Sequence, residues 1–127
     1  MSQPYLTATR IHLLIAALFG AAGVILQAAG THGGSANATT AGTFLLFHAP
    51  VLMAVTALRR TGLMPMGAAA IAASLLALGV ALFSADLALR GLVGMPLFPF
   101  AAPLGGGLMI LGWIALAIVT LLPDRAG

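Results

Sequence analysis

Two histidines offer the most versatile chemistry in this chain. His32 closes the segment Gly30-Thr31-His32-Gly33 at the end of one long apolar run, and His48 stands in Phe44-Leu45-Leu46-Phe47-His48-Ala49-Pro50 inside the next. Imidazole ligates metals and haem and carries protons near neutral pH. The sharp candidates are therefore a metal or haem site on His32 and His48, or a proton or small-solute conduit, with Asp86 as a further metal ligand or relay group. Two histidines without a regularly spaced third ligand are a sparse metal signal, and a plainer account uses the same residues. His48 bonds a backbone carbonyl or a neighbouring side chain, and Asp86 pairs with Arg90 one helical turn later. Gln27, His32, His48, Asp86 and Arg90 then form a structural polar cluster, with no catalytic residue and no cofactor expected.

Other catalytic templates lack parts. The only acids are Asp86 and Asp124, at opposite ends of the predicted fold, so no paired-carboxylate site can form. Ser84, His48 and Asp86 have the residue types of a hydrolytic triad, but Ser84 and Asp86, two apart on a helix, point in different directions. Gly105-Gly106-Gly107 has no adjacent Lys or Ser/Thr of a phosphate loop and is read as close packing or a flexible helix start. There is no cysteine, which removes disulfides, thiolate metal sites and thiol nucleophiles. The net charge of +3 rests on five Lys+Arg in all, too few for a nucleic-acid surface. The sequence thus predicts a non-enzymatic protein whose first partner is the lipid bilayer.

The elements that must position these residues are helical spans. The 127 residues are 61% hydrophobic and 6% charged, whereas a soluble domain carries roughly 25% charged residues. Four runs approach the roughly 20 apolar residues of a membrane span. They predict an all-α, single-domain four-helix transmembrane bundle with helices at about 11–30, 40–58, 66–89 and 103–122. Met1–Thr9 is read as a polar tail. The charged start and Ala28-Ala29-Gly30 also resemble a secretory signal, but the apolar run is longer than a signal core and is read as a span. His32–Gly42 reads as a turn, with Thr39 or Thr40 capping the second helix. Pro50 predicts a kink there. The carbonyl of Leu46 that it frees must find a partner in lipid.

Small residues at Ala16/Gly20 and Ala17/Ala21 predict close helix approach. Ala69, Ala73 and Ala77, one turn apart, form a smooth face. That face and the apolar but Pro-rich segment Gly91–Ala102 suggest a second membrane subunit or another copy of the chain as partner. Trp113 is expected to fill the interior with its indole N–H bonded to a neighbour. With four spans, Arg10, Arg59, Arg60 and Arg125 share one side and Arg90 stands alone on the other, which predicts both termini in the cytoplasm. Counting eight residues from the second helix start puts His48 roughly 12 Å deep. The five polar residues then occupy the outer half of the bundle.

The ordered motifs resemble the DUF423 family of small bacterial membrane proteins, related to the eukaryotic transmembrane protein 256. The family's Gly-Ala-His is Gly30-Thr31-His32 here, and its Tyr-Gln-x-x-His is Phe44-Leu45-Leu46-Phe47-His48. Its Leu-Phe-Ser-Gly-Ser is Leu82-Phe83-Ser84-Ala85-Asp86. Its Thr-Pro-x-Gly-Gly and Gly-Trp are Ala102-Pro103-Leu104-Gly105-Gly106 and Gly112-Trp113. The likeness runs from about Leu13 to Ala117. It departs at Phe44 and Leu45, which lack the family's polar groups, and at Asp86, which replaces serine. The resemblance implies a four-helix protein of the bacterial inner membrane and no assigned reaction.

Overall fold

A computed structural model describes residues 3–123; Asp124 and Arg125 lie outside the described residues. The chain forms α1 (Gln3–Gly33), α2 (Ala36–Arg60), α3 (Met66–Leu92) and α4 (Ala101–Val119). All four are long and apolar enough to cross a membrane.

Of the boundaries that differ from expectation, three have a clear local reason. Residues read as a polar tail belong to α1, which starts at Gln3; Thr7 and Thr9 bond the carbonyls of Gln3 and Tyr5 one turn back. The predicted turn at His32–Gly42 shrinks to Gly34-Ser35. Gly34 takes φ +70, a left-handed conformation open to glycine, and the Ser35 N–H bonds the Gly30 carbonyl at 2.9 Å. This is a Schellman close. Ser35 then caps α2 by accepting from the Ala38 N–H at 3.2 Å, so Ser35, not Thr39 or Thr40, is the N-cap. Finally, α4 begins at Ala101 and Gly105-Gly106-Gly107 lies inside it. Phe100 enters that helix at φ 66, a conformation that costs a non-glycine residue roughly 1–2 kcal/mol.

The helices pack in the order α1 on α2, α2 on α3 and α3 on α4, with α1 also touching α3. Among the described residues the α4 backbone approaches α3 alone. In lipid no hydrophobic force draws helices together, so close approach must come from small residues and hydrogen bonds. Both are present. Gly23 and Gly42 face each other between α1 and α2, and Gly79 and Gly105 between α3 and α4. Of the small residues predicted on α1, Ala16 is buried and Ala17 and Ala21 face outward. The Ala69/Ala73/Ala77 face is inside the bundle, in one core with Ala16, Leu52, Val55 and Val119. It therefore gives no support to a partner. The outside is apolar on every helix, with Leu14, Ile25, Phe47, Ile71, Leu78, Ile110 and Ile114 exposed. α2 runs through Pro50 as one helix.

Candidate functional site

The polar side chains predicted to cluster are distributed over separate helix contacts. Because α2 starts at Ala36, His48 lies twelve residues into it, about 18 Å along the axis at 1.5 Å per residue. This is deeper than the 12 Å expected, near the middle of the helix. Its ring is buried. Nδ1 lies 2.8 Å from the Phe44 carbonyl, and the Trp113 indole Nε1 lies 3.2 Å from Nε2. An indole N–H can only donate, so Nε2 is the acceptor and Nδ1 carries the proton. Both ring nitrogens are engaged, and the bond to Trp113 ties α2 to α4 where their backbones do not meet. Trp113 has its N–H partner, but the residue is 44% exposed and lies toward the outer surface instead of filling the interior.

Gln27 donates from Nε2 to the Thr39 carbonyl at 3.0 Å and to the Thr43 hydroxyl, joining α1 to α2. The Ser84 hydroxyl donates to the Ala41 carbonyl at 3.1 Å, which joins α3 to α2 and occupies the serine of the hypothetical triad. Asp86 is fully buried. Its Oδ2 accepts from Arg90 Nε at 2.7 Å and its Oδ1 from the Leu97 N–H at 2.9 Å. The carboxylate thus pins the irregular segment between α3 and α4. His32 is exposed in the last turn of α1. Among the described residues Asp86 and Arg90 are the only two of the five predicted residues bonded to each other. No three His, Cys, Asp or Glu side chains there gather as a metal site.

Asp86→Ala should free the Leu97 amide. We expect its hydrogen exchange to accelerate strongly, with that of the α3 core amides at Ala72 to Leu76 unchanged. Equal acceleration throughout would show that Asp86 supports the whole bundle and not this segment.

A second polar chain lies at the opposite end and was not anticipated from the sequence. Arg59, 2% exposed, approaches His12 Nδ1 at 2.9 Å through Nη1 and the Thr9 hydroxyl at 3.5 Å through Nη2. Guanidinium only donates, so Nδ1 of His12 accepts and Nε2 carries the proton. Nε2 then donates to Ser74 Oγ at 2.9 Å, and Ser74 donates to the Ala70 carbonyl at 2.8 Å. One directed chain of donors runs from α2 through α1 to α3. Among the described residues, Arg59 Nε and Thr56 Oγ1 are buried without a partner. The signal was present as periodicity. Thr9, His12 and Ala16 share the buried stripe of α1, and Leu45, His48, Leu52, Val55 and Arg59 share that of α2.

Four long apolar helices with apolar outer faces and inward polar ties define a multi-pass α-helical membrane protein. The chain belongs to the family described as "Protein of unknown function (DUF423)", whose model matches residues 19–106. No solved structure matches it.

Proposed function

We propose that this chain is a non-enzymatic structural or accessory subunit of a membrane assembly, either of its own copies or of a larger complex. Its setting would be the bacterial inner membrane, with both termini in the cytoplasm. The observation that carries this reading is the double engagement of His48 by Phe44 and Trp113. A ring with both nitrogens held has no lone pair for a metal and no free N–H for a relay. The orientation rests on Arg10, Arg59 and Arg60 at one end against Arg90, paired with Asp86, at the other. The subunit role draws on the exposed apolar side chains of Val93, Met95 and Phe100 between α3 and α4. The alternative, a conduit or cofactor site on His32, His48 and Asp86, would need His48 and Asp86 to exchange their present partners.

Extraction from native membranes in mild detergent tests the proposal. We expect the chain to run as an oligomer or with co-purifying membrane subunits, free of stoichiometric metal and of visible absorption. A lone monomer that binds nothing would remove the subunit role. A chromophore or metal lost in His48→Ala would establish the alternative.

A further inference from the structure

We propose that the cavity at the turn between α2 and α3 binds a phosphate group, presented by an anionic lipid headgroup or as the free ion. The cavity, about 630 Å³, lies among the start of α1, this turn and the end of α4, and Tyr5, Arg59, Arg60, Gly62, Met66 and Gly67 line it. Three independent features favour an anion there. The first is Arg59. Its guanidinium is buried, its Nε has no partner among the described residues, and its hydrogen-bond acceptors His12 and Thr9 are neutral. A charge taken out of water is costly unless an opposite charge answers it. Among the described residues the one carboxylate, Asp86, is at the other end of the bundle with Arg90 and Leu97.

The second is Arg60, exposed on the same cavity, which provides a second guanidinium fork of the kind that matches phosphate oxygens. The third is the start of α3. Pro65 caps it without a side-chain hydrogen bond, and the first backbone N–H to find a helical carbonyl is that of Ala69. Met66, Gly67 and Ala68 line the cavity, so an uncapped helix N-terminus, with free N–H groups and the positive end of the helix dipole, opens on it. Met64 and Leu122 add apolar wall, as an acyl-bearing ligand requires.

The test uses the full chain in nanodiscs of phosphatidylcholine with or without phosphatidylglycerol. Lipid retained after extraction is counted by native mass spectrometry, and inorganic phosphate is titrated in parallel. We expect retention of phosphatidylglycerol over phosphatidylcholine. A membrane-proximal basic side chain contributes about fivefold in affinity, so Arg60→Gln should lose about that factor. Gly67→Glu, whose added Cβ meets nothing within 4 Å, should abolish retention by charge without disturbing packing. Arg59→Gln should do the same if it folds. Binding of inorganic phosphate with the same sensitivities, without lipid preference, would assign the site to the free ion. No binding of either probe, or binding indifferent to Arg60→Gln and Gly67→Glu, would overturn the proposal. So would binding that appears only in Asp124→Asn, because the chain would then supply its own carboxylate.

Discussion

Gly105→Ala should force α4 away from α3 and cost about 3 kcal/mol, the upper end of the range for overpacking. A Cβ there would stand 2.5 Å from the Phe83 nitrogen and 2.7 Å from the Gly79 carbonyl oxygen. Both are backbone atoms that cannot swing aside. Since α4 approaches only α3 through its backbone, separation here should also strain the Trp113–His48 bond. The two following glycines are internal controls. Cβ atoms at Gly106 and Gly107 would meet nothing within 4 Å, so alanine at either should stabilise by up to about 1 kcal/mol through helix propensity. Unfolding of the three variants in mild detergent, followed by emission of the single tryptophan, provides the comparison. Equal losses at all three positions would mean that the triple glycine serves flexibility and not a helix crossing.

Where anionic lipid answers its charge, Arg59→Ala should cost on the order of 3 kcal/mol, because hydrogen bonds to charged groups are the stronger class and their loss leaves buried partners unsatisfied. His12 Nδ1 would lose its donor, Thr9 would lose a neighbour, and a void would open between α1 and α2. A double-mutant cycle with His12→Ala isolates the bond from the void. We expect a coupling of about 1 kcal/mol or more, as for residues in one network. Additive losses would mean that Arg59 acts by volume alone.

Composition and period made the four spans legible. The apolar runs place the helix interiors correctly because span length and hydropathy are set by the bilayer, which the sequence reflects directly. The ends were harder. Ser35 and Thr40 are chemically similar caps, and only the Gly34 turn, closed by a bond back to Gly30, selects Ser35. Gly105, Gly106 and Gly107 look alike in sequence, and only the crossing with Gly79 tells which one must lack a side chain. The smooth alanine face of α3 was visible, but not whether another chain or its own α2 covers it.

The polar residues divide in the same way. Gln27, His48, Asp86 and Arg90 stand out because they interrupt apolar runs. Sequence spacing groups them together, yet Gln27 and His48 have separate partners on other helices and only Asp86 and Arg90 pair with each other. Trp113 could not be matched with His48, because 65 residues separate them. In sequence Arg59 reads as a topological charge at a helix end. Its place on the buried stripe of α2 was the sign that it also has an internal role.

Nitrogen-15 chemical shifts of the histidine rings in the reconstituted protein test the central claim that the interior polar groups are structural ties. They should report two buried rings, each with one proton and in opposite tautomers. His48 should carry it on Nδ1, with Nε2 accepting from Trp113, and His12 on Nε2, with Nδ1 accepting from Arg59. A metal-shifted His48 nitrogen, or a His48 protonated at Nε2, would contradict the account.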